Sequence, residues 1–421
     1  MAGTNRDSLY RGERWRLSYG IETAYGEAPH ATLPVANTGP TYLAMHNFGV
    51  FEDATLADPE FDHTPYWFQN PSARNYTMAY KGKARCSGSI PDIVLLDGKT
   101  LALPISNKIF HEDATTYWKH TIEDTIFLPS FRVVATYLDS SVNDGVAGLI
   151  RYFVGGKVNR ASYHCAEGDI LKLSLEDILF KMPYYKDDDY AQGTITPWYN
   201  ANNVDQSTLA IPTTEPYYFS YGALNIKLAA NALTNVPVRS IRNFKLDVNN
   251  NLEPKYYLMT NDEKVLYQIY EGRREYRLSM QIDLIDYVPV AISHDLNTDL
   301  DKNDFFMELI NQGKDTTLKG SGIQMTFTRG TNDLIKFSIP GNDGGYHTYA
   351  PNSGANQQGG LIVRASHPIM KDGVVSVGVE MVVPDMQIYV EDAIPGEEGI
   401  YNTDSTHYPY GTLSNPFTVH Q

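Results

Sequence analysis

Residues 239–285 decide the fold, beginning RSIRNFKLDVNNNLEPKYYL at Arg239 and ending IYEGRREYRLSMQIDLI at Ile285. In the second half, apolar and polar side chains alternate. One face carries Tyr276, Leu278, Met280, Ile282 and Leu284, and the other carries Arg273, Glu275, Arg277, Ser279, Gln281 and Asp283. This period of two is typical of a strand with one buried face. Phe244, Leu246 and Val248 alternate likewise before three asparagines, which tolerate left-handed turns. The stretch therefore predicts two long strands.

The composition indicates a globular, β-rich chain. Of its 421 residues 42% are hydrophobic and 20% charged, which suffices for a substantial core. The 30 tyrosines favour strands and packed interfaces, although a β-rich protein also carries many tyrosines without large interfaces. The net charge of −16 argues against a protein that grips nucleic acid by neutralising phosphates. It is compatible with a surface past which DNA slides, and equally with simple solubility.

Two cysteines and the N-terminus restrict the cellular setting. Cys86 and Cys165 are far apart and lack a partner motif, so they predict small core residues instead of a disulfide framework or a zinc site. The opening MAGTNRDSLYRGERW has no apolar signal run, and no segment has the length of a membrane span. We therefore expect a protein made and kept in a cytoplasm unless it is exported as part of an assembly.

Changes in composition and periodicity divide the chain into six parts. We predict an N-terminal arm (1–41), an aromatic-rich loop or insertion (42–74), a first β block (75–182), a Tyr- and Pro-rich projecting loop (183–222), a second β block (223–390) with a helix near 304–312, and a C-terminal arm (391–421). The aromatic content of 183–222 argues against a solvated linker. It favours an ordered projection that packs on a neighbour, or equally an excursion folded against its own domain.

The segment after the EGD turn at 167–169 admits two interpretations. Leu171, Leu173 and Leu175 share one parity, whereas Ile178, Phe180 and Met182 have the other. A β-bulge near Glu176 explains this shift. An amphipathic helix also fits, with its apolar side formed by Leu171, Leu175, Ile178, Leu179 and Met182.

The second block continues with a helix and a hairpin. Asp304 is placed to cap a short helix that ends before Gly313. Residues 323–327 and 335–339 alternate on either side of a GTND turn, and a last long strand follows over 375–383.

Enzyme motifs are absent from the sequence. It contains no GxSxG, HExxH, phosphate-binding loop or GxGxxG, and its 11 histidines lack metal-ligand spacing. We assign no catalytic, cofactor-binding or metal-binding residue. Asn297, Asp299, Asp301 and Glu308 partly fit a calcium loop, but Lys302 stands where the turn needs glycine, so a solvated loop is the favoured interpretation. A sugar-binding or glycan-processing β-sandwich with Trp67, Trp118 or Trp198 as a platform is the alternative function.

Several motifs resemble one known family. These are YGIETAYGEAP at 19–29, the GKVN segment followed by a strand, the EGD turn and a second strand, the NNNLEP turn followed by EGRREY and a long strand, and the late order of helix, hairpin, loop and strand. Together they resemble the tail tube (major tail) proteins of long-tailed bacteriophages. The length of the chain and its segments 42–74 and 183–222 depart from that family.

The resemblance implies a mainly β fold, a β-sandwich or partly closed barrel with a flanking α-helix and extended arms. It also implies six-subunit rings that stack into a hollow tube around a tape-measure protein and later conduct DNA. Implied partners are further copies of the chain, the tape-measure protein, and tail terminator and distal tail proteins, in a virion tail assembled in the host cytoplasm without membrane insertion. Lumen or subunit-interface candidates are Arg273, Glu275, Arg277, Gln281 and Asp283. Inter-ring loop candidates are Tyr184, Tyr185, Trp198, Tyr199, Tyr217 and Tyr218.

Overall fold

The described part of the chain consists mainly of strands. The computed structural model describes residues 15–22, 25, 46–56, 60–66, 78–95, 98, 100–106, 109–114, 117–125, 127–138, 147–186, 215–229, 232–237, 241–256, 268–283, 322–330, 333–339, 361–365, 369–371, 374–383 and 386–392. The strands are β1 (Trp15–Ile21), β2 (His46–Asn47), β3 (Thr55–Leu56), β4 (Glu60–Tyr66), β5 (Met78–Val94), β6 (Ile109–Ala114), β7 (Tyr117–Glu123), β8 (Phe131–Leu138), β9 (Ala147–Cys165), β10 (Lys172–Phe180), β11 (Met182–Lys186), β12 (Tyr218–Ala229), β13 (Ala232–Pro237), β14 (Ile241–Asn249), β15 (Glu253–Lys255), β16 (Gln268–Tyr270), β17 (Glu275–Asp283), β18 (Gly322–Gly330), β19 (Asp333–Ile339), β20 (Leu361–Ala365), β21 (Ile369–Lys371), β22 (Val374–Val383) and β23 (Gln387–Asp392).

Two antiparallel sheets and one small ribbon contain these strands. The first sheet runs β2-β1-β8-β9-β14-β17-β22-β20, with β10 joining β9 to β5 and further short strands at its margins. The second sheet runs β13-β12-β18-β19-β23-β7-β6, and β15 pairs with β16 alone. The long strand β9 pairs with β8 and β11 in its first half and with β10 and β14 in its second half.

The main core lies between the two sheets. Phe244 of the first sheet contacts Phe327 and Phe337 of the second, with ring centroids 6.2 and 5.7 Å apart. Tyr163 also packs on Phe337, at 5.5 Å. All these side chains belong to one buried apolar cluster. The predicted mainly β sandwich is therefore confirmed.

One part of the predicted fold needs correction, and another part falls on residues outside those that the structure describes. Within the described residues, the strand order of neither sheet closes on itself, so the fold is a sandwich of open sheets and not a barrel. The structure gives no support to the flanking α-helix, because the only helical element of the described residues is a 3₁₀ turn at Thr100–Ala102. The segment 304–312, where the helix was expected, lies outside the described residues.

The pair of strands predicted from residues 239–285 is confirmed. β14 and β17 are antiparallel neighbours, with Leu246 opposite Leu278. The apolar face is buried at Tyr276, Leu278, Met280 and Ile282, whereas Leu284 lies outside the described residues. Asn251 adopts a left-handed φ of 47°, as the asparagine turn predicts. The connection between the two strands forms the ribbon β15–β16.

The ambiguous segment after the EGD turn is a bulged strand. β10 pairs with both β5 and β9, and its register shifts between Leu175 and Ile178. The extra residues bring Leu173, Leu175, Ile178 and Phe180 to the buried side in spite of their different parity. The helical interpretation is wrong. The backbone of this segment is extended and pairs with a strand on each side, whereas a helix would form its backbone hydrogen bonds within the segment.

The hairpin and the last long strand are also confirmed. β18 and β19 pair across the GTND turn, and β22 buries Val377, Val379, Met381 and Val383. Strands also occur in segments for which we expected arms or loops: β1 within 1–41, β2 to β4 within 42–74, and β11 and part of β12 within 183–222. The division of the chain into six parts stays a prediction.

Both cysteines are buried free thiols, as expected. Burial, reinforced by the negative charge of Asp169, raises the pKa of Cys165 to about 11 from about 9. Because the folded-state pKa lies above the unfolded one, this group's contribution to stability is complete below about pH 9 and is lost as the pH rises toward 11.

We expect the Cys165 thiol to be nearly inert in the native protein. At pH 8 the raised pKa lowers its thiolate fraction about 100-fold relative to an ordinary cysteine, and burial slows the reaction further. The measurement is the rate of iodoacetamide alkylation of Cys165 by peptide mass spectrometry, with and without urea, in a Cys86→Ala background. Equal rates in the two states would contradict the buried, high-pKa thiol.

Candidate assembly surface

The first sheet carries one continuous polar face, turned away from the core between the sheets. Cross-strand register aligns the outward side chains of five neighbouring strands. The polar face comprises Lys172, Ser174 and Glu176 of β10, Arg160, Ser162 and His164 of β9, Asn243, Lys245, Asp247 and Asn249 of β14, Glu275, Arg277, Ser279, Gln281 and Asp283 of β17, and Ser376, Gly378, Glu380 and Val382 of β22.

Four of the five lumen or interface candidates lie on this face, and the fifth borders it. Glu275 and Arg277 are exposed, Gln281 and Asp283 are half-buried, and Arg273 is exposed just before β17 begins. Alternation brings them together on one side, as the sequence predicts. Their role toward other molecules stays a prediction.

The β17–β22 part of the face is linked by polar contacts. Arg277 Nη1 lies 3.4 Å from the Glu380 carboxylate, with side chains 61% and 32% exposed. Gln281 Nε2 donates a hydrogen bond of 2.8 Å to Ser376 Oγ. These contacts tie β17 to β22 through side chains as well as through the backbone.

Asp283 ends the face beside a second cation. Arg242 Nε donates to its carboxylate at 2.7 Å and lies 3.6 Å from that of Glu167 in the β9–β10 turn. The guanidinium of Arg242 is therefore shared between two acids from different elements.

Lys245 occupies the middle of the face between two carboxylates. Its Nζ lies 2.8 Å from Asp247 Oδ1 and 3.8 Å from Glu176 Oε1. The hydrogen bond that Lys245 donates to Asp247, together with the charges of both acids, raises the pKa of Lys245. The ammonium group therefore stays protonated while two acids compensate its charge.

A fourth set of polar contacts joins β9, β10 and β5. Lys172 Nζ lies 2.7 Å from Asp169 Oδ2, and this hydrogen bond raises the pKa of Lys172 and lowers that of Asp169. His164 Nε2 lies 3.0 Å from the carboxylate of Asp92. Asp92 has a left-handed φ of 50°, and its backbone N–H donates to Ser174 Oγ at 3.0 Å.

Arg274, next to the exposed Arg273, is largely shielded from solvent, with a side chain 11% exposed, and connects three parts of the fold. Its Nη1 donates to the carboxylate of Asp124 and to the carbonyls of Ile105 and Thr125, the latter two at 2.7 and 3.0 Å. Its Nε donates to Asn250 Oδ1 at 2.5 Å. Burial lowers the pKa of the Arg274 guanidinium. Arg274 thereby joins the asparagine turn to the 100–106 turn and to the end of β7.

Asn250 completes this junction from the other side. Its Nδ2 donates to the carbonyls of Pro104 and Val158, at 2.9 and 2.8 Å. Asn251 holds the next turn by donating to the carbonyl of Arg273 at 2.7 Å. A Cβ at Gly272 would lie 2.4 Å from the Asn251 carbonyl oxygen, so only glycine fits there.

The ribbon β15–β16 is held against the first sheet by a charged contact and an apolar one. Glu271 accepts hydrogen bonds from Lys157 Nζ at 2.6 Å and from the backbone N–H of Leu128 at 2.9 Å. Leu252 and Ile269 of the connection pack on Leu128 and Leu179 in a small separate core. The described residues of the connection after NNNLEP therefore pack against the first sheet.

Sequence reasoning missed these internal polar residues, although parity gives a signal for two of them. Arg274 has the parity of Tyr276 and Leu278, and Asn250 has that of Val248, so both fall on the buried side of their strands. A charged or amide group in a buried register needs several hydrogen bonds. Nothing local in the sequence indicates the partners, which come from residues 104–125 and 158–159.

The aromatic loop candidates are placed differently from one another. Tyr217 is fully buried, its hydroxyl donates to Asp333 at 2.8 Å, and Arg329 lies over its ring, so this side chain contributes to the interior of its own protomer. Tyr218 is 50% exposed. Tyr184 and Tyr185 lie on β11, paired with β9, while Trp198 and Tyr199 fall outside the described residues.

The possible metal and sugar sites of the sequence can be compared with the structure only where the structure describes the chain. Within it, no group of three or more His, Cys, Asp and Glu side chains could hold a metal ion. The calcium-loop positions Asn297, Asp299, Asp301 and Glu308 lie outside it, as do Trp67 and Trp198 of the sugar-platform alternative.

Among the described residues, no helix has the length and apolarity that crossing a membrane requires.

Comparison with known proteins points to one family. A family model described as phage tail tube protein matches residues 12–380, which is most of the chain. No curated protein matches the chain.

Proposed function

The chain belongs to the phage tail tube protein family, and from this premise we propose that six copies form a ring and that stacked rings build a hollow tube. The family gives the protein a structural role in the virion tail. In the proposal the tube encloses a tape-measure protein during assembly in the host cytoplasm and later conducts the viral DNA. Tail terminator and distal tail proteins would close its two ends.

The polar face is the single observation that best supports this proposal. One side of the first sheet packs on the second sheet, whereas the other side presents polar residues over five strands. A sheet that continued from protomer to protomer would place such a face toward a water-filled lumen. Pairing across subunits would also remove the open sheet edges that long strands otherwise expose. Head-to-tail contacts between rings are open-ended, as a filament requires.

The lumen or subunit-interface residues proposed are Arg273, Glu275, Arg277, Gln281 and Asp283. The net charge of −16 supports a lining from which DNA phosphates dissociate readily. For contacts between rings we propose the two terminal arms and the 183–222 segment, with Tyr218 as the exposed aromatic residue and Tyr184, Tyr185, Trp198 and Tyr199 as further candidates.

We expect Glu275→Arg to leave the protomer folded and to impair tube formation or DNA passage. Glu275 is exposed and lies opposite Asn249, so the change reverses one surface charge without disturbing the core. The measurements are the urea midpoint of the protomer, the yield of tubes by electron microscopy, and infectivity of phage that carries the variant.

Glu215→Arg is the matched control because Glu215 is also exposed but lies outside the polar face. Tube formation and infectivity that are unchanged in Glu275→Arg would remove Glu275 from the lumen or interface assignment.

A further inference from the structure

We propose that carboxylates of the polar face mask its own cations, so that the face carries lysine and arginine side chains without holding DNA phosphates. This inference rests on the proposed lumen role of the face. It concerns how the face treats nucleic acid, and it identifies Glu176, Asp247 and Glu380 as the residues that prevent binding.

The masking of Lys245 involves acids from two strands. Asp247 lies two residues along β14 and contacts Nζ at 2.8 Å, while Glu176 approaches from β10 at 3.8 Å. The lysine is 48% exposed and the acids 39% and 42%, so all three groups face solvent. An approaching phosphate would meet one ammonium between two carboxylates, a site of net negative charge.

Arg277 is masked from the neighbouring strand. A carboxylate oxygen of Glu380 on β22 lies 3.4 Å from its Nη1, although the Arg277 side chain is 61% exposed. Arg242 at the end of the face follows the same pattern, between Asp283 and Glu167. The same pattern therefore recurs at three cations on or beside the face, Lys245, Arg277 and Arg242.

Compensation of this kind weakens DNA binding for a general reason. Binding to DNA derives its salt-dependent free energy from counterions released when free cations neutralise phosphates. A cation that is already paired with a carboxylate of its own protein contributes less binding free energy, because the phosphate must first displace that carboxylate. Two arginines of this region, Arg160 and Arg273, form no ion pair with a carboxylate of the described residues. Both lie toward the end of the face at the asparagine turn. They therefore set the residual affinity of the native face for DNA.

Removing the masking carboxylates should create a DNA-binding surface. The variant Glu176→Gln/Asp247→Asn/Glu380→Gln leaves Lys245 and Arg277 uncompensated while conserving side-chain size. Exposed ion pairs contribute little to stability, so the variant should fold.

The experiment measures binding of a fluorescent duplex of about 20 base pairs by anisotropy, from about 20 to 200 mM salt. The full-length chain is kept dilute enough to remain unassembled. We expect at least about tenfold tighter binding than in the native chain at the lowest salt. The slope of log K against log salt should steepen by about 2, because two cations each contribute about 0.9.

The control is Glu52→Gln/Glu60→Gln/Glu215→Gln, which changes the net charge equally at three exposed carboxylates outside the polar face. We expect this variant to bind like the native chain. Binding of the masking variant that equals the control, or a native slope as steep as that of the masking variant, overturns the inference.

Tube formation by each chain is scored separately by electron microscopy. Absence of native tubes would count against the proposed function, whereas the anisotropy result alone decides whether the carboxylates mask the cations.

Discussion

Replacing Arg274 with methionine should destabilise the protein by about 3 kcal/mol, one of the largest effects of any single substitution in the described part of the chain. The Arg274 side chain is 11% exposed, and its guanidinium donates hydrogen bonds to Asp124, Asn250 and the carbonyls of Ile105 and Thr125. Breaking a buried pair from one side leaves the other charge uncompensated, which costs about 3–5 kcal/mol. The lower end applies because Asp124 is 27% exposed and partly solvated.

The adjacent Arg273 provides a matched control. Arg273→Met removes the same charge one position away, where the side chain is exposed, and should change the free energy of unfolding by no more than about 0.5 kcal/mol. Urea unfolding followed by tryptophan fluorescence measures both. Equal destabilisation by the two variants would contradict the junction role of Arg274.

The second large effect is expected for Leu278→Asp, which should prevent folding. Leu278 is fully buried in the core between the two sheets, where an aspartate side chain would find neither water nor a cation. An isolated carboxylate in such a place costs more than about 4 kcal/mol, a large part of the stability of a typical domain. We expect insoluble or unfolded protein by circular dichroism.

Ser279→Asp introduces the same residue one position further along β17. Ser279 lies on the polar face, opposite Lys245 on one side and Glu380 on the other, where a carboxylate is solvated. This variant should fold with nearly native stability. If both variants unfold, or both fold, the assignment of faces in β17 is wrong.

The strands and turns that depend on the residue pattern within their own segment could be predicted from the sequence. Strict alternation gave β14, β17, β22 and the β18–β19 hairpin, and the asparagines indicated a turn that Asn251 forms. The parity change around Glu176 revealed a bulge but could not exclude a helix, because both interpretations satisfy the same apolar residues over so short a segment.

The remainder depends on contacts between distant residues. The 19-residue strand β9 was predicted only in part, because its glycines Gly155 and Gly156 interrupt the apolar pattern while partners on both sides keep the backbone extended. The alternation within a strand does not show which strand is its neighbour. The pairing of β9 with β14, and of β7 with β23, could therefore not be predicted. Arg274 was overlooked for the same reason, since its partner Asp124 lies 150 residues away.

The polar face shows where local and non-local information meet. Alternation placed Glu275, Arg277, Gln281 and Asp283 on one side of β17, which the structure reproduces. Only cross-strand register shows that Arg277 meets Glu380 and that Lys245 meets Glu176. The charge of the face is thus a property of the sheet and cannot be assigned from one strand.

Negative-stain electron microscopy of the purified full-length chain, over a series of increasing protein concentrations, tests the tube proposal most directly. The proposal predicts six-fold rings that stack into hollow tubes as the concentration rises. A chain that remains monomeric at every concentration, and that binds or cleaves a glycan instead, would contradict it.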